Sequence, residues 1–165
     1  MKSVLKYLIL GLLPMTFLGA AELKIEWTDP EEFRDADHYY NGGKKSKTIV
    51  TSNLGRFFER DARRYLPEGT VLEMTVTELD LAGDFEPWHR GNWDDVRIVK
   101  SIYPALIKFN YRYLGENGEV IAEGEEKLWD RLVPDSMRAR FLGRSESYPY
   151  IKSLVRDWIR DLDED

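Results

Sequence analysis

IKFNYRYLGENGEVIAEGEEKLW, residues 107–129, holds two runs of alternating character around one turn. Ile107, Phe109, Tyr111 and Tyr113 are apolar or aromatic, and Lys108, Asn110 and Arg112 stand between them. A period of two puts one set on a buried face and the other in water, so the run reads as a half-buried strand. Glu116, Asn117, Gly118 and Glu119 then form the turn, because Asn-Gly tolerates the left-handed backbone of a tight hairpin. Val120 to Trp129 returns as the antiparallel partner.

The same reading extends outward from this hairpin. Leu72, Met74 and Val76 alternate with Glu73, Thr75 and Thr77, but beyond Glu78 the apolar side chains are Leu79 and Leu81. Such a phase flip needs a bulge or a strand end near Glu78. Leu23, Ile25 and Trp27 give a short strand ending at Asp29-Pro30, and Val96 to Tyr103 reads as another. The intervening EEFRDADHYYNGGKKS is loop. From about Lys47 to Leu66, Val50, Leu54, Phe57, Phe58, Ala62, Tyr65 and Leu66 recur at three- and four-residue spacing, an amphipathic helix with a basic outer face. Ser46 or Thr48 is placed to cap it, and Pro67-Glu68-Gly69 stops it.

Residues 131–147 show no sustained period and carry Arg131, Arg138, Arg140 and Arg144, a basic loop with at most one helical turn. Tyr148-Pro149 opens a last helix striped by Ile151, Leu154, Val155, Trp158 and Leu162, and its acidic end is expected to fray. Trp27, Trp129 and Trp158 fall on strand or helix positions and are expected in the core. The order β-α-β-β-β-α predicts an α+β domain: a mostly antiparallel sheet of four to five strands with two helices packed on one face.

A chain of 165 residues with 42% hydrophobic content supports one core and one domain. Lys2 and Lys6 precede an apolar run from Tyr7 to Leu18, followed by Gly19, Ala20 and Ala21. These are the parts of a secretory leader. Cleavage after Ala21 sets small residues at both recognition positions, and cleavage after Ala20 is the alternative. The run is shorter than the roughly 20 residues a spanning helix prefers, so we expect a cleaved signal over residues 1–21, a single domain over 22–165 and no stable membrane span.

There is no Cys, which excludes disulfides, thiolate chemistry and the lipid-attachment residue of a bacterial lipoprotein. Loss of the leader removes two Lys and no acid, so the net charge moves from −6 to −8. That balance argues against nucleic-acid binding, which depends on a phosphate-neutralising surface. Charge is unevenly distributed: residues 44–64 are basic and residues 73–95 acidic, blocks that form solvated faces or docking surfaces.

The acidic block contains the candidate site. Asp80, Asp84 and Glu86 leave a strand and run into Trp88, His89, Arg90 and Trp93, with Asp94 and Asp95 beyond. Three chemistries are open to these residues. Two carboxyl groups of different pKa beside His89 suit a hydrolase. Several oxygens on a Gly-containing loop suit calcium, although DLAGDFE lacks the ligand spacing of an EF-hand. An exposed Trp next to Arg suits a partner or sugar surface. His38 and His89 form no zinc motif, and elbow-serine, Walker and Rossmann patterns are absent. We therefore assign no catalytic residue, metal ligand or cofactor, and take Asp80, Asp84, Glu86, Trp88, His89, Arg90 and Trp93 as a binding surface.

WTDPEEFRD (27–35), ELDLAGDFEPW (78–88), GEEKLWD (124–130) and YPYIKSLVRDW (148–158) resemble the bacterial domain-of-unknown-function family 3016 over nearly the whole mature chain. The resemblance implies an exported protein of Gram-negative bacteria with a periplasmic home, and it brings no activity. Together these readings predict a non-enzymatic periplasmic accessory domain that presents the 80–95 loop to an envelope protein or polymer. An envelope hydrolase and a calcium-ordered binding domain are the alternatives.

Overall fold

The computed structural model describes residues 19–86, 96–130, 133 and 135–162. The leader up to residue 18 and the fraying expected at 163–165 lie outside the described residues. In chain order the elements are β1 (Glu22–Trp27), a 3-10 turn (Pro30–Glu32), α1 (Gly43–Tyr65), β2 (Val71–Asp80), β3 (Asp84–Phe85), β4 (Arg97–Ile98), β5 (Ala105–Leu114), β6 (Val120–Asp130), α2 (Met137–Leu142) and α3 (Pro149–Asp161).

Four strands form one sheet in the order β1-β2-β5-β6, and β3 and β4 make a separate two-stranded hairpin. β2 pairs antiparallel with β5, and β5 with β6. β1 lies parallel to β2, in register from Glu22 opposite Val71 to Trp27 opposite Val76. The sheet is therefore mixed, with two antiparallel ladders and one parallel one at the β1 edge. The long segment between β1 and β2 contains α1, and a crossover of that length is what a parallel pair requires. Period-two alternation looks the same in either direction, so the sequence pattern cannot tell them apart.

The phase flip in β2 is a bulge. Val76 pairs with Phe109 and Glu78 with Lys108, leaving Thr77 as the extra residue. Leu72, Met74 and Val76 before it and Leu79 after it are all buried. At the β5–β6 turn Gly118 takes a φ of 80°, and Gly115 N–H donates to the Glu119 carbonyl at 2.9 Å.

Among the described residues three helices form, rather than two. The extra one, α2, lies within the segment expected as basic loop; Ser136 caps it by accepting from Ala139 N–H. Six residues are too few for a helical period to emerge from the sequence. α1 begins at Gly43, earlier than expected, and Ser46 lies buried inside it. The Ser46 hydroxyl accepts from His38 N–H at 2.5 Å and Tyr39 N–H at 3.2 Å, so it ties the preceding loop down instead of capping the helix. The strand expected over Val96 to Tyr103 shortens to Arg97–Ile98.

The core lies between one sheet face and the helices α1 and α3. Val50, Leu54, Phe57, Phe58 and Ala62 of α1 and Ile151, Val155 and Ile159 of α3 join Ile107, Phe109 and Tyr113 in one buried cluster. Each large apolar side chain there contributes roughly 1.5–3 kcal/mol by leaving water. Trp158 packs edge-on to Phe109 at 4.8 Å and Tyr111 at 5.0 Å, which seats α3 on β5. Asp61, buried on α1, accepts from Arg156 Nε at 2.8 Å and Nη2 at 3.3 Å, and the Arg156 guanidinium lies 4.7 Å from the Phe57 ring centre.

The other sheet face is not covered by a helix among the described residues. It carries the register row Lys24, Glu73, Arg112 and Glu123, one residue from each strand, joined by ion pairs of 3.4–3.5 Å. Trp129 is 44% exposed, which corrects its expected place in the core. Its strand is the sheet edge, and its register opposite Leu106 sets it on the same face as that row.

Candidate functional site

The acidic stretch leaves β2 at Asp80 and turns sharply. Leu81 and Ala82 are buried, and Gly83 has a φ of 84°, where a Cβ would stand 2.8 Å from the Ile98 carbonyl oxygen. Only glycine permits this approach of the two backbones. The chain then enters the β3–β4 hairpin, with Asp84 opposite Ile98 and Phe85 opposite Arg97.

Arg97 is the hub of this end of the molecule. Its Nη1 donates to Asp35 Oδ2 at 2.6 Å and to the Gly83 carbonyl at 2.5 Å. Its Nη2 donates to Asp35 Oδ1 at 3.0 Å and to the Asp37 carbonyl at 2.9 Å. The guanidinium also lies 4.6 Å from the Phe85 ring centre. One side chain thus fastens the 35–37 loop to the β2–β3 turn, with the forked donor geometry that suits Arg.

The acids expected as a site occupy three different environments. Glu86 is buried; Lys100 Nζ donates to both its oxygens at 2.6 Å and the Tyr103 hydroxyl to one at 2.9 Å. These bonds tie the end of β3 to the segment after β4. Asp84 accepts from the N–H of its neighbour Phe85 at 2.7 Å. Asp80 is half-buried, and desolvation, with the Asp35 charge nearby, pushes its carboxyl pKa up to about 6. Burial also raises Asp35, although Arg97 opposes it. Among the described residues no group of three or more His, Cys, Asp or Glu side chains is arranged to hold a metal. Trp88, His89, Arg90, Trp93, Asp94 and Asp95 lie outside the described residues.

Beside this hub a cavity of about 160 Å³ opens between the end of β2, the β3–β4 hairpin and the start of α3. Leu81, Ala82, Val99, Pro149 and Ile151 supply apolar lining, and Arg97, Tyr148 and Tyr150 supply polar groups. Its volume is close to the roughly 150 Å³ that accommodates a benzene ring, the size of one aromatic or branched aliphatic side chain. Tyr148 is held at φ 56°, ψ 47°, an uncommon conformation for a bulky residue. Its hydroxyl lies 2.5 Å from His38 Nδ1, and burial raises its pKa.

Sequence reasoning does not mark Arg97, Tyr148 or His38 as site residues. Arg97 is a cation just beyond the acidic block, and Tyr148 precedes a helix-opening proline. Neither signal reveals that segments 62 and 110 residues apart meet here.

The fold and this end of it define a small α+β domain built on a mixed four-stranded sheet, with a side-chain-sized cavity at one sheet end. The chain belongs to the family described as "Protein of unknown function (DUF3016)", whose model matches residues 21–161. No curated protein matches the sequence. Among solved structures, a variant PelC dodecamer from Paraburkholderia phytofirmans is similar at 11% identity, covering 88% of this chain and 86% of that one, with a TM-score of 0.37. A minor lipoprotein from Acinetobacter baumannii is similar at 9% identity, covering 87% and 89%, with a TM-score of 0.27. Likeness at that level carries no functional argument. Among the described residues no helix is long and apolar enough to cross a membrane.

Proposed function

We propose that the protein is an exported, non-enzymatic binding domain of the bacterial envelope, working in the periplasm after removal of its leader. The cavity beside Arg97 and Tyr148 receives an apolar anchor side chain of an envelope protein or a hydrophobic group of an envelope polymer, and the 80–95 stretch contributes further contacts to the same partner. One observation carries this reading: an apolar cavity of single-side-chain size with a few polar groups at its edge, the form that anchor pockets of interfaces take.

The commitment of Glu86 to Lys100 and Tyr103 supports the same reading over a hydrolase that would use Asp84, Glu86 and His89. Asp80, with its raised pKa, is the group that favours acid/base work. A hydrolase needs a second carboxyl group to complement it, and the nearby candidates are engaged, Asp35 by Arg97 and Glu86 by Lys100. In this reading Asp80 ends β2 next to the cavity-lining Leu81 and titrates as a consequence of burial.

The test is capture from detergent-solubilised envelope extract by the protein expressed from its full-length sequence. Val99→Phe fills the cavity from a partly exposed position. It is expected to lose the captured partner while retaining the wild-type melting temperature, and Trp88→Ala and Trp93→Ala are expected to weaken capture. Equal capture by all three variants would contradict the proposal.

A further inference from the structure

β6 is eleven residues long and forms one edge of the sheet, with β5 on one side and no described strand on the other. Apart from Asp130, its residues are exposed or half-exposed. An edge of this length is a template for another strand unless it is protected. Its side chains decide which strand fits.

Glu123, Glu125, Lys127 and Trp129 belong to the uncovered face, and Ala122, Gly124, Glu126 and Leu128 to the helix side, as their pairing with β5 fixes; Ile121 is the extra residue of a bulge. We propose that β6 pairs antiparallel with β6 of a second copy of this chain, about a two-fold axis through Glu125. In that register Glu123 meets Lys127 of the other copy twice, once on each side of the axis. Ile121, 55% exposed, meets Trp129, 44% exposed. On the helix side Ala122 meets Leu128, and Gly124 leaves room for Glu126.

The adjacent registers that keep the two faces aligned fit less well. Centring on Gly124 sets Glu123 against Glu125 and Ile121 against Lys127. Centring on Glu126 brings Glu125 to Lys127, but it sets Ala122 against Asp130 and Ile121 against a position beyond the end of the strand. Like charges directly opposed across strands are unfavourable, and opposite charges or apolar pairs favourable.

A feature within one chain points the same way. Lys108 and Lys127 stand directly opposite each other in the β5–β6 ladder, and Lys108 is bound to Glu125 at 2.6 Å. Among the described residues Lys127 has no carboxylate ion-pair partner, and Glu123 of a second copy would supply one. The same Lys108–Glu125 pair screens the two Glu125 side chains that meet on the axis. Ile121 is itself the extra residue of the bulge between Tyr113 and Leu114, so the regular pairing runs over 122–128, with Trp129 of each copy closing one end beside the bulged Ile121.

Charge reversal tests the register without altering the core. The wild-type chain, expressed from its full-length sequence, is expected to show concentration-dependent dimers by sedimentation equilibrium. Glu123→Lys and Lys127→Glu, each alone, are expected to weaken self-association by about tenfold. An equimolar mixture of the two variants is expected to restore it, because each now faces its complement. A wild-type chain that stays monomeric up to millimolar concentration, single variants that associate like wild type, or a mixture that fails to associate would overturn the proposal. Circular dichroism of each variant separates lost pairing from unfolding.

Discussion

Asp80 holds a charge in a half-buried place, and the sign of its effect on stability follows from that. Its folded pKa, about 6, lies above the ordinary value of 3.8. The stabilisation belongs to the protonated form: it is fully present below pH 3.8 and is lost as pH rises through 6. Asp80→Asn is therefore expected to raise stability at pH 7.5 by about 1 kcal/mol, discounted for the group's partial exposure, and to leave it nearly unchanged at about pH 3.5. Denaturant titrations at the two pH values check this; a variant less stable than wild type at the higher pH would refute it. Gly83 makes a second residue-scale prediction. With φ 84° and the Ile98 carbonyl 2.8 Å from an added Cβ, Gly83→Ala is expected to cost about 1–3 kcal/mol in a urea titration. At this scale the acidic stretch is visible in the sequence as a cluster, but its division into anchor, capped turn and perturbed carboxyl is not. Glu86 is settled by Lys100 and Tyr103, and Asp80 by burial and Asp35, none of which the spacing of ELDLAGDFEP contains.

The pairing of α1 with α3 depends on Asp61 and Arg156 as well as on apolar packing. Asp61 is 1% exposed and meets Arg156 through two hydrogen bonds, so Asp61→Ala strands a partly buried guanidinium. The expected loss is about 3 kcal/mol, and the double variant Asp61→Leu with Arg156→Met is expected to recover most of it. A double-mutant cycle by chemical denaturation measures both; equal losses in the single and double variants would contradict the assignment. The two striped helices, the β5–β6 hairpin and the bulge at Thr77 are legible because each breaks or keeps a period. α2 is not, since a single short piece of helix has no period to read. The parallel β1–β2 ladder is hidden for another reason: alternation reports burial and not strand direction. Trp129 reads as core because aromatic residues at strand positions usually are, and only the edge position of β6 explains its exposure.

As a whole the molecule is a mixed sheet with one face under α1 and α3 and the other laced by the row Lys24, Glu73, Arg112 and Glu123. One core accounts for stability without disulfides, and among the described residues the features offered for recognition are the cavity at the end of β2 and the edge of β6, beside which no described strand lies. The proposed function rests on the first of these. Amide hydrogen exchange of the protein with and without solubilised envelope extract reads it directly. The account predicts added protection over 81–82, 97–99 and 148–151, the segments that line the cavity. Unchanged exchange in those segments, with protection arising elsewhere or nowhere, would contradict it.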